Sequence, residues 1–163
     1  MGILGPTFFA GNEEAPSDGV FHYTNKQALT KILRDGVLRP HRTMPGDRCA
    51  LVWFSTNGIW EPAAGRGLPW NRVGEPMAFD VLAQRGLGRI LVEKDAAPLR
   101  WPQLRTLVSP QWLALTQGPA GQWVRANCHR WYGSRQPVHR ESWLSIEVWH
   151  APRWRELAYS WTA

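Results

Sequence analysis

Three stretches of this chain carry side chains suited to handling a sugar or a nucleotide. The first is Val20-Phe21-His22-Tyr23-Thr24. Strand alternation puts His22 on one face with Val20 and Thr24, directly ahead of a helix-forming segment. A histidine there is either a satisfied structural residue or a ligand-binding one. The start of a helix offers free amides and the positive end of the dipole, which favour phosphate, and an imidazole beside it can donate to a ribose hydroxyl. The second stretch ends in Ser55-Thr56, where an apolar segment runs into a long loop. The third is Trp143-Leu144-Ser145-Ile146-Glu147-Val148-Trp149. Alternation places Leu144, Ile146 and Val148 on one face and Trp143, Ser145, Glu147 and Trp149 on the other. A carboxylate in such a strand is costly when buried alone. Glu147 therefore either pairs with an arginine or acts as a base or hydroxyl acceptor in a cleft. Glu61, in Ile-Trp-Glu-Pro, is a secondary candidate.

Other chemistries find little support. Cys49, Cys128 and His129 lack zinc-ligand spacing, and two cysteines in 163 residues do not make a disulfide framework. The free thiols point to a reducing cytoplasm. There is no GxxxxGK[ST], GxGxxG or GxSxG motif. No apolar run reaches the roughly 20 residues of a membrane span, so no membrane partner is expected. The first residues do not read as a secretion signal or a myristoylation site.

The net charge is +6, and sixteen of the nineteen basic residues are arginine. Such a field favours polyanions such as nucleic acid, or an anionic cofactor. The basic residues form no run, so no basic tail is expected. Eleven tryptophans are several times normal usage. Some belong to a core, and others suit a concave site where a flat ring stacks on a base or a nicotinamide.

The positioning elements follow from pattern. Residues 1–19, rich in Gly and Pro, read as a loosely held arm that Phe8 and Phe9 pin to the body. Residues 20–24 form a strand, Asn25 caps a helix with Ala28, Leu29, Ile32 and Leu33 on one stripe, and Gly36 ends it. Val37 and Leu38 begin a short strand that stops at Pro40. Residues 50–56 form a buried strand, and 57–75 a long, glycine- and proline-rich loop of the kind that carries function. Strands are expected at 77–81, 89–92 and 143–149, with a closing edge strand at 154–161. Helices are expected at 99–108, 110–116 and 122–131. Strands and helices do not alternate regularly, so the expected fold is α+β: a single domain over residues 20–163 with a mixed or antiparallel sheet flanked by helices.

His22-Tyr23-Thr24, a helix, and then Asp35-Gly36-Val37-Leu38-Arg39-Pro40 resemble the opening of ADP-ribosyltransferase-like domains. In that superfamily a second strand carries an aromatic residue or a Ser-Thr-Ser motif, and a late strand carries Glu. Here Val52-Trp53-Phe54-Ser55-Thr56 and Glu147 follow in that order. The resemblance implies a split β-sheet whose cleft binds NAD as substrate. His22 would hold the adenosine-side ribose and Thr24 the nicotinamide amide through its backbone. Tyr23 and Thr56 fall in the same two motifs. Trp53 or Phe54 would wall the nicotinamide pocket, and Ser55 would support the carboxylate. Glu147 would hydrogen-bond the nicotinamide ribose and stabilise the oxocarbenium-like transition state. The second motif lacks the tyrosine of the His-Tyr-Glu group, and Ser145 stands two before Glu147.

The implied activity is transfer of ADP-ribose from NAD to a nucleic acid or protein, as in bacterial or phage toxins and defence factors, with an antitoxin or target protein as partner. Two alternatives stand beside it. One is an RNA 2′-phosphotransferase-like enzyme, which a cluster of Arg39, Arg42 or Arg48 around His22 would favour. The other is a non-enzymatic nucleic-acid- or protein-binding domain on the same scaffold, with Trp and Arg spread over one exposed face and His22 far from Glu147.

Overall fold

The computed structural model describes residues 15–16, 18–61, 63–64, 79–117 and 127–158. Strand β1 (Gly19–Asn25) leads into helix α1 (Lys26–Asp35) and the short strand β2 (Val37–Leu38). The local chemistry that marks this unit in the sequence is present in atoms. Asn25 Oδ1 accepts from the Ala28 amide at 2.8 Å, and Gly36 sits in the left-handed region at φ 65°, its N–H donating to the Ile32 carbonyl. Strands β3 (Val52–Ser55), β4 (Leu87–Glu93), β5 (Leu99–Arg100), β6 (Trp131–Ser134), β7 (Val138–His139), β8 (Trp143–His150) and β9 (Arg153–Glu156) complete the β structure. Helices α2 (Phe79–Arg85), α3 (Trp101–Leu104) and α4 (Pro110–Gln117) lie between them.

Seven strands form one sheet in the order β5-β6-β3-β1-β4-β8-β9, and β2 pairs with β7 in a second, two-stranded sheet. Every strand pair among the described residues is antiparallel. The architecture is α+β, with few helices against a mostly antiparallel sheet. One sheet face, carrying Val20, Phe54, Ile90 and Ile146, packs on Leu29, Ile32 and Leu33 of α1. Gly88 permits this approach, since a Cβ there would meet Leu29 Cδ2 at 2.6 Å. The other face carries Trp131 and Trp53 against Trp101 and Leu104 of α3 and Trp112 of α4.

Several elements differ from the sequence reading. The strand expected at 77–81 is not formed at its described residues: 79–85 is helix α2, closed by Gly86 at φ 88°, while 77 and 78 lie outside the described residues. The helix expected at 99–108 shrinks to α3, preceded by β5; Pro102 has no N–H to give and fits only in the first turn, which bars an earlier start. Of the helix expected at 122–131, residues 122–126 lie outside the described residues, Cys128–Arg130 is a single 3-10 turn, and Trp131 opens strand β6. The edge strand expected at 154–161 is Arg153–Glu156, with 159–161 outside the described residues. Alternation in β8 breaks at a register shift opposite Leu91 and Val92. The shift puts Trp143 in the core beside Ile146 and leaves Leu144 45% exposed. Gly19, assigned to the arm, belongs to β1. Ala15 is tied to the body by its N–H to the Thr56 carbonyl, and Phe8 and Phe9 lie outside the described residues.

Candidate functional site

The sheet opens between β1 and β3. These two strands pair at a single position, Phe21 with Ser55, whereas β1 pairs with β4 along its whole length. Beyond that one pair a side chain does the bridging, with His22 Nδ1 donating to the Trp53 carbonyl at 2.9 Å. A carbonyl only accepts, so Nδ1 carries the proton and Nε2 keeps a lone pair. Burial lowers the imidazole pKa to about 4, partly offset by the Trp53 carbonyl and reinforced by His41. The ring is therefore neutral near pH 7.

A cavity of about 120 Å³ fills this opening. His22, Tyr23, Trp53, Phe54 and Ser55 all line it, so five of the residues singled out in the sequence meet at one place. Phe54 meets the His22 ring edge-on at 5.8 Å, and Trp53 stacks on Trp112 at 4.8 Å. A second, larger cavity of about 360 Å³ shares His22, Tyr23 and His41 with the first and reaches Thr24, Lys31 and Arg39. Its rim is cationic. Arg34 hydrogen-bonds Asp35 and, with Lys31 and Arg39, holds that carboxyl below its ordinary range. Arg42 and Arg48 are exposed and line neither cavity.

Glu147 and Thr56 also line neither cavity. Register explains Glu147. Tyr23, Arg89 and Glu147 lie directly opposite one another across β1, β4 and β8, whereas His22 lies in the neighbouring row with Ile90 and Ile146. Neighbouring rows of a pleated sheet point to opposite faces. Arg89 donates to Glu147, so this carboxylate has the arginine partner that one of its two sequence readings called for.

The same guanidinium donates to the Gly58 carbonyl and lies over the rings of Phe21 and Trp154. Tyr23 donates to the Asn57 carbonyl, and Trp154 Nε1 donates to the Ile59 carbonyl at 2.8 Å. Three consecutive carbonyls are thus each gripped by a side chain from a different strand. Burial pushes the Tyr23 hydroxyl up in pKa, with Arg89 opposing, so it stays a protonated donor.

That grip fixes the segment leading to Glu61. Glu61 is 6% exposed and lines the smaller cavity. Ser55 Oγ donates to its Oε2 at 2.7 Å, and the Ala63 amide donates to its Oε1 at 3.0 Å. Both oxygens accept, as an ionised carboxylate does. Ser55, which the resemblance would set beside the Glu147 carboxylate, hydrogen-bonds Glu61 instead. Asp47 does comparable work for the loop that carries two other lining residues, His41 and Thr43. Its carboxylate accepts from the amides of Thr43, Met44 and Ser109, which pins the loop carrying His41 and Thr43 onto the start of α4.

Thr43, Trp112 and Trp131 also line the cavity. No local motif marks them in the sequence; the tryptophan excess is the one signal for Trp112 and Trp131, and Thr43 has none. Among the described residues no group of three or more His, Cys, Asp or Glu stands close enough to hold a metal ion. Among the same residues no helix is long and apolar enough to cross a membrane.

The depressed pKa of His22 has a measurable consequence. The unfolded chain takes the imidazole proton near pH 6.5 and the folded chain near 4. His22 thus contributes stability that is fully present above pH 6.5 and declines as pH falls toward 4. Urea unfolding across that window is expected to lose midpoint progressively, and His22→Gln, which keeps an N–H for Trp53, is expected to flatten that loss. An equal slope in both proteins would place the imidazole in water.

The chain matches no family model, no curated protein and no solved structure.

Proposed function

We propose that this protein is an NAD-dependent ADP-ribosyltransferase-like enzyme, with Glu61 rather than Glu147 as the carboxylate at the reacting sugar. One observation carries the reading. His22, an aromatic wall and a buried carboxylate held by Ser55 surround a single cavity in the gap between β1 and β3. The oxidised nicotinamide ring is flat and positively charged. Tryptophan faces and a nearby carboxylate both favour such a ring. The larger cavity, with Lys31, Arg39 and His41, suits the anionic remainder of the dinucleotide.

The reaction follows from that placement. The bond between ribose C1′ and the nicotinamide nitrogen breaks, and its electron pair stays on the nitrogen, which becomes neutral. Positive charge develops on C1′ and the ring oxygen. Glu61, fixed in place before the reaction, stabilises that charge. Water or an acceptor hydroxyl or amine then adds to C1′ and loses a proton. Neutral His22 offers the Nε2 lone pair to a ribose hydroxyl.

The acceptor fits a nucleic acid best, because the chain carries a net charge of +6 and the exposed Arg34 adds to it beyond the cavity. Of the three arginines whose clustering would favour a 2′-phosphotransferase, only Arg39 lines a cavity with His22. Against a purely binding role, Trp101, Trp112, Trp131 and Trp143 are buried rather than displayed on a stacking surface.

The test is incubation of the purified chain with NAD and chromatographic detection of free nicotinamide. Release that saturates with NAD is the expected result. No release, with or without added RNA, DNA or protein extract as acceptor, would remove the transferase reading.

A further inference from the structure

The hairpin of β8 and β9 presents a row of cations on a free sheet edge. β9 is the last strand of the seven-stranded sheet. Arg155 pairs with Val148, and Arg153 with His150. Val148 and Leu157 pack on the core cluster that includes Leu29 of α1. Alternation therefore puts Arg153, Arg155 and His150 on that same face, and all three are exposed. Trp154, between the arginines, points the other way and donates to the Ile59 carbonyl at 2.8 Å, which fixes the strand that presents them. Among the described residues neither arginine pairs with a carboxylate. Glu156 stands opposite Glu147 and so faces away from them. Lys26, exposed at the start of α1, extends the row. A Cβ at Gly86 would meet its Cβ at 2.9 Å, and Gly86 lies two residues before the Gly88 that pairs with Val148.

The chemistry of the row selects its partner. An arginine fork meets a phosphate with two parallel hydrogen bonds. A lipid surface would call for large apolar side chains to insert beside the cations. Among the described residues only Val81 and Leu144 are large, apolar and exposed, and they lie in α2 and at the far end of β8. A narrow line of cations suits a flexible strand that can follow it. We propose that the β8–β9 hairpin docks the phosphate backbone of single-stranded nucleic acid through Arg153 and Arg155, with Lys26 continuing the track. Lys26 follows Asn25, which lines the larger cavity, so the track leads to that cavity's mouth. The docking stands on charge and register alone; that it delivers an acceptor to the cavity rests on the transferase reading.

The test uses the full chain and a fluorescein-labelled single-stranded oligouridylate, with anisotropy titrations repeated over a range of salt. Arg153→Gln combined with Arg155→Gln is expected to weaken binding about tenfold at physiological salt. It is also expected to lower the slope of log affinity against log salt by about 1.4, since each phosphate contact on a single strand accounts for about 0.7. Arg48→Gln combined with Arg105→Gln removes the same charge from exposed sites elsewhere and is expected to stay within about threefold of wild type. Equal losses in the two variants would reduce the effect to net charge and overturn the inference. Unchanged binding in the hairpin variant, with new self-association, would overturn it by showing that the arginines guard the free edge against pairing. A wild type that does not bind the oligonucleotide, whether or not it binds phosphatidylserine vesicles, would overturn it too. Nicotinamide release from NAD alone is expected to be the same in the hairpin variant as in the wild type. Absence of that release in both would remove the transferase reading and leave the docking standing.

Discussion

Replacing Glu147 with alanine is expected to destabilise the fold by about 2 to 3 kcal/mol. Removing one member of a buried ion pair typically costs about 3 to 5 kcal/mol because the other charge is left uncompensated. The lower figure applies because the Glu147 side chain is 21% exposed, against 8% for Arg89. Arg89 cannot turn to solvent in response. It lies over the rings of both Phe21 and Trp154 and holds the Gly58 carbonyl. Replacing both residues, as Arg89→Met with Glu147→Leu, is expected to recover part of the loss, since apolar side chains of similar volume fill such sites without a desolvation cost. Urea unfolding of the two single variants and the double variant measures this. Single variants within about 0.5 kcal/mol of wild type would show the pair to be solvated and the grip on residues 57–59 unimportant.

Glu61→Gln is expected to lower nicotinamide release by a hundredfold or more while NAD affinity stays within about threefold. Charge that develops only in the transition state is stabilised by the carboxylate and far less by its neutral amide, so the loss falls on turnover. Glutamine keeps the shape, and its carbonyl still accepts from Ser55 or Ala63, so the fold is retained. The comparison with Glu147→Gln is the informative one. Assayed at a temperature where it is folded, that variant is expected to lose activity only as far as it loosens the segment leading to Glu61. If Glu147→Gln abolished release and Glu61→Gln did not, the roles of the two carboxylates would be exchanged.

Why Glu147 reads as the likelier acid in the sequence is a matter of which neighbours a single strand reveals. A charged residue at an alternating position is visible; its partner Arg89, on the adjacent strand in the same cross-strand row, is not. Glu61 has the weaker sequence signal because its loop lacks periodicity, although it follows the strand-ending Ser55 by six residues. The opening strand, helix and short strand are legible because local chemistry specifies them: an Asn cap, a helical stripe and a left-handed glycine. Strand β3 and most of β8 are legible from apolar pattern.

Strand β6 escapes notice because it reads Trp-Tyr-Gly-Ser, with a glycine at its centre. That glycine serves tertiary packing, since a Cβ there would meet Leu104 Cδ2 at 2.6 Å. The bulge in β8 is likewise invisible in one strand, as it exists only against β4. The cavity itself combines a loop near residue 43, helix α4 and strand β6, which no local rule brings together.

Calorimetric titration of NAD into the wild type and into His22→Ala tests the central claim, that the gap between β1 and β3 is a dinucleotide site organised around His22. Saturable binding by the wild type, weakened at least tenfold in His22→Ala, is the predicted result. No heat of binding up to millimolar NAD, or equal affinity in the two proteins, would contradict it.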